Sequence, residues 1–147
     1  MSSTNTWILI SDASRARLFA VDGHGPWTLI DTILHPASQL KGVDLVADRP
    51  GRSQQRTTQG RSAMEPHTDP REVEAEHFAG ELAARLRKGH GENAYRDVVL
   101  VAPPRFLGLL RGALDEQVAK HVRGSVDKDL TKVEERDLPE HLKDVLR

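Results

Sequence analysis

Residues 6–35 read TWILISDASRARLFAVDGHGPWTLIDTILH, and this stretch decides the fold. Its first part, Thr6–Asp12, is a continuous apolar run that ends at a turn-forming residue, which indicates a strand buried on both faces. Ala16–Val21 and Trp27–His35 predict a second and a third strand, because their side chains divide between two faces. The short, turn-rich Asp22–Pro26 between them is typical of a hairpin. Three strands on such short connections form an antiparallel meander.

The second half of the chain alternates helices and strands. Asp69–Gly91 predicts a long helix, because Asp69 can cap it, a proline suits its first turn and apolar side chains follow at helical spacing. Two Asp-x-x-Glu capping boxes are predicted, Asp69 to Glu72 here and Asp137 to Glu140 in a closing helix. The other predicted elements are a strand at Arg96–Pro104, a helix at Arg105–Val122, a strand at Arg123–Thr131 and the closing helix at Asp137–Arg147.

The resulting order is βββαβαβα. Strands 1 to 3 are antiparallel neighbours, whereas strands 4 and 5 each follow a helix, and right-handed crossovers place them parallel to strand 1. The predicted fold class is therefore α/β: a ribonuclease H-like mixed five-stranded sheet in the order 3-2-1-4-5, with strand 2 antiparallel and helices packed on the sheet. At 147 residues, we expect positions 1–147 to form a single domain.

Composition excludes several classes of protein. The chain is 37% hydrophobic and 29% charged, and its longest apolar runs, such as WILI and VVLVA, are far shorter than the ~20 residues that cross a bilayer. It has no cysteine, which excludes disulfides, thiolate nucleophiles and Cys-ligated zinc. The N-terminal MSSTNTW lacks the basic and apolar regions of a secretory signal. We expect a cytoplasmic protein that makes no contact with membranes.

A long basic connection interrupts the pattern of elements at about residues 38–67. Within it, Arg49–Pro66 reads RPGRSQQRTTQGRSAMEP and carries four arginines against Glu65 alone, a net charge of +3, whereas the whole chain carries −1. Its small apolar surface cannot offset the entropy of ordering, so we predict a flexible loop. We call Arg49–Pro66 the basic segment. Its candidate binding residues are Arg49, Arg52, Gln54, Gln55, Arg56, Gln59, Gly60 and Arg61.

A second candidate site lies where the chain order of the sheet reverses, between strands 1 and 4. Ligands of open α/β sheets favour the crevice outside the carboxyl ends of these strands. The second helix begins there, and its free N–H groups favour an anion. The candidate binding residues of this crevice are Asp12, Ser14, Arg15, Arg17 and Arg105. In the alternative interpretation, Asp12 and Ser14 form an ordinary turn, with Arg15 or Arg17 paired to Asp12.

No catalytic or cofactor motif accompanies these sites. A two-metal nuclease needs several carboxylates that converge on the sheet, but strand 1 supplies only Asp12 and strand 4 supplies none. His77 and Glu81 are one helical turn apart, and a single pair does not make a metal site, so we expect His77 at the surface. The sequence has no Walker loop, no Gly-x-Gly-x-x-Gly and no Gly-x-Ser-x-Gly. We therefore expect no catalytic residue, no metal and no cofactor.

Five stretches together resemble one known family. They are WILISDASRARLF, the GRS of the central loop, HTDPREVEAEHFAGELAARL, VVLVAPPRFLGLLRGAL and VDKDLTKVEERDLPEHL. Across essentially the whole chain, they look like the bacterial host attachment protein family, which is named for a requirement in attachment to host cells. The resemblance implies a phenotype and no particular chemistry.

That family is in turn distantly similar to the middle domain of archaeal and eukaryotic class 1 peptide-chain release factors, which has the same ribonuclease H-like order. In that domain the loop after strand 3 carries a Gly-Gly-Gln motif that enters the ribosomal peptidyl-transferase centre. The basic segment has the same topological position, yet it contains Gln54-Gln55 and Gln59-Gly60 and no Gly-Gly-Gln. The resemblance implies the location of a loop and carries over no catalytic residue.

Four interpretations of function stay open. The first is a non-catalytic module whose arginines contact phosphates of structured RNA, with the ribosome or tRNA as partner. The second is a module that binds an acidic protein surface, so that any role in host attachment is indirect. The third is peptidyl-tRNA hydrolysis in which Gln55 or Gln59 positions a water, and the fourth is an inert insertion. The oligomeric state is left open.

Overall fold

The computed structural model describes residues 5–35 and 69–146. The strands are β1 (Asn5–Ser11), β2 (Arg15–Asp22), β3 (Thr28–Leu34), β4 (Asp97–Val101) and β5 (Val122–Val126). The helices are α1 (Pro70–Gly91), α2 (Pro104–Ala113), α3 (Glu116–Ala119), a 3₁₀ turn at Glu135–Asp137, α4 (Leu138–His141) and α5 (Lys143–Leu146). In these two ranges, no helix has an apolar stretch long enough to cross a membrane. The loop predicted at residues 38–67 lies outside the described residues.

The five strands form one mixed sheet in the order β3-β2-β1-β4-β5, which confirms the predicted ribonuclease H-like arrangement. The central strand β1 pairs antiparallel with β2, from Asn5 opposite Asp22 to Ser11 opposite Ala16, and parallel with β4. β3 pairs antiparallel with β2, and β5 pairs parallel with β4. The chain order therefore reverses between β1 and β4, where ligands of open α/β sheets bind.

Each face of the sheet packs a separate hydrophobic core. Trp7 and Leu9 point from β1 into the core beneath α1 and α2, whereas Ile8 and Ile10 point into the core beneath the C-terminal segment. All four side chains are buried. This double burial explains why β1 is a continuous apolar run and does not alternate between apolar and polar residues.

Local sequence explains the bounds of α1. The carboxylate of Asp69 accepts a hydrogen bond from the backbone N–H of Arg71 at 2.9 Å, which confirms the predicted N-cap. Lys88 and His90 lie in the last turn, where positive charge is favourable near the negative end of the helix dipole. The buried stripe of α1 consists of Ala75, Phe78, Ala79, Leu82, Ala83, Leu86 and Gly89.

The helix predicted at Arg105–Val122 is wrong as a single element. Leu114 has extended dihedrals, and the carboxylate of Asp115 accepts a hydrogen bond from the N–H of Val118 at 2.9 Å, which caps α3. The helical spacing of apolar residues continues across this break. However, the hydrogen bond of the Asp115 side chain to the backbone three residues later favours the start of a new helix at this point.

The C-terminal elements also differ from the prediction. β5 includes Val122 and ends at Val126, before the predicted Thr131. The closing helix is divided into the 3₁₀ turn, α4 and α5. Asp137 has helical dihedrals and makes no side-chain cap, so the second predicted capping box is wrong. An N-cap needs extended dihedrals for its side chain to reach the following N–H groups, and the preceding 3₁₀ turn prevents them.

Candidate binding crevice

A crevice of about 540 Å³ opens at the carboxyl ends of β1 and β4, where the topology predicts one. The turn after β1 forms one wall, and the N-terminal turns of α1 and α2 form the other. Its polar lining consists of Asp12, Ser14, Asp69, Arg71, Glu72 and Arg105. Three of the five predicted crevice residues are thus brought together, namely Asp12, Ser14 and Arg105.

Asp12 organises the turn between β1 and β2. Its Oδ1 accepts hydrogen bonds from the backbone N–H groups of Ser14 and Arg15, at 2.8 and 2.9 Å, and from the Ser14 hydroxyl at 3.2 Å. Its Oδ2 lies 3.8 Å from Nε of Arg15 and accepts a hydrogen bond from the Thr131 hydroxyl at 3.4 Å. Asp12 and Ser14 therefore form the turn of the alternative interpretation, with Arg15 as ion-pair partner. A role of these residues in binding a ligand stays a prediction.

Arg17 does not line the crevice, so its placement there is corrected. The residues on either side of it in β2 point into the core beneath α1, and strand alternation sends Arg17 to the opposite face. There its Nη2 donates to the backbone carbonyls of Leu130, Thr131 and Val133, at 3.0, 3.0 and 2.9 Å. Arg17 therefore anchors the C-terminal segment to the sheet.

The arginines of the crevice are paired but exposed. Nη2 of Arg105 donates to Glu72 at 2.9 Å, and 83% of the Arg105 side chain is exposed. Arg71 lies 3.3 Å from Asp69 and is also largely exposed. Exposed ion pairs contribute little to stability, so an anionic ligand can replace the acidic partner at small cost. Glu72 belongs to the first predicted capping box, but the contact of its carboxylate is with Arg105.

The two helix N-termini at the crevice differ in charge. Asp69 caps α1, and the backbone N–H of Arg71 holds the pKa of this carboxyl below its usual value. α2 begins after Pro103, which provides no side-chain cap, and the first turn of α2 contains no acidic residue. The positive end of the α2 dipole therefore faces the crevice without a carboxylate of its own helix to neutralise it.

The two residues that flank the stretch 36–68 lie in the crevice or next to it. The N–H of His35, immediately before this stretch, donates to the carbonyl of Ser14 at 3.0 Å. Asp69, immediately after it, lines the crevice. The two sites that the sequence predicts separately are thus joined along the chain at both ends. The loop candidates Arg49, Arg52, Gln54, Gln55, Arg56, Gln59, Gly60 and Arg61 lie outside the described residues, and their role stays a prediction.

A charged cluster near the crevice has no counterpart in the predictions from sequence. Nε2 of His35 lies 2.8 Å from Oε1 of Glu74, and its Nδ1 lies 2.6 Å from Oε1 of Glu81. The hydrogen bond from His35 is the largest cause of a lowered pKa of Glu74. The only signal in the sequence is the seven-residue spacing of Glu74 and Glu81, which places them on one helix face. His77 is 64% exposed, which confirms its predicted surface position.

A second, larger cavity of about 910 Å³ lies at the opposite end of the sheet, between the β2–β3 turn and the C-terminal helices. Arg136 and Lys143 on its rim pair with the neighbouring Glu134 and Glu140. Neither the switch in chain order nor the basic segment points to it, so the crevice is the better candidate. Within residues 5–35 and 69–146, no group of three or more histidine and acidic side chains is placed to hold a metal ion.

A solved structure shares the fold. The crystal structure of the archaeal translation termination factor aRF1 aligns with 96% of this chain and 39% of that chain, at 12% sequence identity and a TM-score of 0.52. A structure described as an archaeal protein aligns over the same shares at 12% identity and a TM-score of 0.48. The chain thus spans less than half the length of these relatives, and similarity at this identity shows the fold alone. No curated protein matches the sequence.

A family model described as "protein required for attachment to host cells" matches residues 7–142. The matched range runs from β1 to the end of α4 and includes the crevice and the stretch 36–68. It agrees with the resemblance found in the five quoted stretches. The chain belongs to the family of proteins required for attachment to host cells.

Proposed function

We propose that this protein is a non-catalytic module that binds structured RNA, either ribosomal RNA or tRNA, through the basic segment and the crevice. The observation that carries the proposal is the position of His35 and Asp69. His35 is hydrogen-bonded to Ser14 of the crevice and Asp69 lines it, so the chain departs from the described body and returns to it beside this site. A ligand at the crevice therefore lies where the chain leads into and out of the stretch that contains the basic segment.

The charges suit a polyanion. Guanidinium groups bind phosphate oxygens through two parallel hydrogen bonds, and amides such as Gln54 and Gln55 can donate to and accept from unpaired bases. At the crevice, Arg71 and Arg105 keep exposed guanidinium groups, and the uncapped N-terminus of α2 adds N–H donors. We expect these groups to bind the sugar–phosphate backbone, so that affinity depends on shape and charge more than on sequence.

The shared fold supports a partner in translation. The archaeal structure that aligns at a TM-score of 0.52 is that of a translation termination factor, and this chain corresponds to 39% of its length. The basic segment has no Gly-Gly-Gln. We therefore propose RNA binding in the cytoplasm without peptidyl-tRNA hydrolysis.

Salt dependence of RNA binding tests the proposal. Four phosphate contacts to single-stranded RNA predict a slope of about −3 for log affinity against log salt. A variant in which the four arginines of the basic segment become alanine should lose most of this slope and bind at least tenfold more weakly. The matched control replaces four exposed cations elsewhere with alanine, namely Arg87, Lys88, Arg111 and Arg136. A slope near zero for the parent chain, or equal losses in the two variants, would contradict the proposal.

The family description favours a second candidate, a protein partner through which the chain affects attachment to host cells indirectly. In this case the basic segment binds an acidic protein surface. Affinity purification with and without nuclease treatment separates the two candidates. Partners that disappear with nuclease support RNA binding, whereas partners that persist, and are lost in the four-arginine variant, support a protein interaction.

A further inference from the structure

We infer that His35, Glu74 and Glu81 form a proton-dependent latch that fastens the end of β3 to α1. Nothing in the family description or in the predictions from sequence assigns a role to these residues. The latch stands on its own contacts and does not depend on the proposed RNA binding.

The two contacts of the His35 ring with carboxylates favour a protonated ring. Both nitrogens of His35 lie within hydrogen-bond distance of a carboxylate oxygen, Nε2 at 2.8 Å from Glu74 and Nδ1 at 2.6 Å from Glu81. An ionised carboxylate accepts hydrogen bonds and donates none, so each nitrogen must carry a proton. The arrangement is therefore an imidazolium held between two carboxylates, with a charge-assisted hydrogen bond to Glu74 and an ion-pair contact with Glu81.

Packing fixes the ring between its partners. The ring of His35 stacks on buried Phe78, with centroids 5.3 Å apart and planes 24° apart, and 16% of the His35 side chain is exposed. Glu74 is 23% exposed and Glu81 is 53% exposed, so solvent screens the Glu81 bond more strongly. The backbone of His35 is bonded to Ser14, which ties the same residue to the turn after β1.

Among the described residues, His35 makes the shortest contacts with these two carboxylates, and the other neighbouring cations are more distant or paired elsewhere. On α1, Nδ1 of His77 lies 3.6 Å from Glu74 but is exposed, and Arg85 pairs with Asp31 of β3 at 3.3 Å. On β2, Arg15 lies opposite Leu34 and pairs with Asp12. Loss of the proton on His35 would thus leave Glu74 and Glu81 facing a neutral ring.

The sign of the pH dependence follows from these groups. When pH rises and the ring loses one proton, one nitrogen presents a lone pair to a carboxylate, and that bond becomes a repulsion. When pH falls, Glu74 keeps its charge to lower pH than an ordinary glutamate, because the hydrogen bond from His35 lowers its pKa. The latch is therefore closed while the ring carries both protons, and it opens when one of them is lost.

Equilibrium unfolding of the full chain in denaturant tests the latch at about pH 5.5 and about pH 8. For the parent chain, the unfolding constant should rise on going to the higher pH by about three- to tenfold more than for His35→Gln, which keeps a polar side chain without the titrating charge. The control His77→Gln removes the exposed neighbour and should behave as the parent does. Equal pH responses of the parent chain and His35→Gln would overturn the inference.

Nitrogen NMR of the histidine rings in the parent chain gives a second measurement that needs no folded variant at position 35. At about pH 5.5, both ring nitrogens of His35 should show the resonances of an imidazolium, with slowed exchange of both N–H protons with water. Glu81→Gln should weaken the protection of the Nδ1 proton more than that of the Nε2 proton. A neutral His35 ring across the whole range would overturn the latch whatever the unfolding data show.

Discussion

Gly89 packs against Trp7 so closely that a Cβ atom at position 89 would lie 2.5 Å from ring carbons Cη2 and Cζ3. The same Cβ would lie 3.0 Å from the ring of Tyr95, whose centroid is 4.8 Å from that of Trp7. The last turns of α1 can therefore approach the start of β1 only because residue 89 has no side chain. The contact sets the distance between helix and sheet at the end opposite the crevice.

Gly89→Ala should lower the free energy of unfolding by about 1–3 kcal/mol, because the added methyl must displace buried rings. This loss should appear despite the better helix propensity of alanine. Gly80→Ala is the matched control, since a Cβ there has no atom within 4 Å, and it should raise the free energy of unfolding by up to about 1 kcal/mol. Denaturant unfolding of both variants measures the contrast, and equal effects would contradict the close packing.

Arg17→Met should destabilise the chain by about 3 kcal/mol, because it removes the charged donor from three backbone carbonyls of the segment 130–133. The methionine keeps an apolar side chain beside Phe19, whose ring centroid lies 5.8 Å from Cζ of Arg17. Arg111→Met is the control, since this exposed arginine makes one hydrogen bond, to Ser125, and its loss should change stability by less than about 0.5 kcal/mol.

Hydrogen exchange would localise the effect of Arg17→Met. Amides of the 3₁₀ turn and α4 should lose protection, because the C-terminal segment is held to β2 through Arg17. Amides of α1, on the other face of the sheet, should keep theirs. Uniform loss of protection across both faces would show that Arg17 does not act as a local anchor.

Much of the fold is predictable because the strongest signals in the sequence are local. β1 and β4 are buried on both faces, and their continuous apolar runs mark them as central strands. The break at Leu114 escapes prediction because the apolar spacing of a helix continues through it. The predicted helix is divided by the hydrogen bond from the Val118 N–H to Asp115, and it ends before Val122 because Val122 pairs with β4 as part of β5.

The candidate site is predictable in outline and not in detail. The topology correctly places Asp12 and Arg105 at one crevice. Arg17 is close to Asp12 in sequence, but side chains alternate between the two faces of a strand, so Arg17 lies on the opposite face of the sheet. The latch joins His35 to carboxylates at least 39 residues away in sequence. The sequence does not show which helix face a lone histidine at the end of a strand will contact. The contacts of His35 with Glu74 and Glu81 are therefore visible only in the folded structure.

Tyr95 should titrate far above an ordinary tyrosine. Burial, aided by the charge of Asp115, raises the pKa of Tyr95 to about 12, and its hydroxyl donates to the Leu86 carbonyl at 2.7 Å. An unfolded tyrosine ionises near pH ~10, so this contribution to stability is complete below that value and is lost as pH rises toward the folded pKa. Tyr95 is the only tyrosine, so near-ultraviolet absorbance of tyrosinate follows it directly.

Tyr95→Phe supplies the control for this titration. It should remove the tyrosinate signal and the stability loss tied to it, and it should lower the free energy of unfolding at neutral pH by about 1 kcal/mol for the missing hydrogen bond. Ionisation of Tyr95 near pH ~10 in the folded chain would show that its hydroxyl is accessible to water.

Arg105→Ala should weaken RNA binding and reduce the salt slope by about 0.7, the share of one phosphate contact to single-stranded RNA. The expected effect on stability is below about 0.5 kcal/mol, because the pair with Glu72 is exposed. Arg136→Ala is a close control: that side chain is 82% exposed and pairs with Glu134 at 2.9 Å, but it lies at the other cavity. If the two variants change the slope equally, the crevice is not the site at which RNA is bound, and the basic segment must act without it.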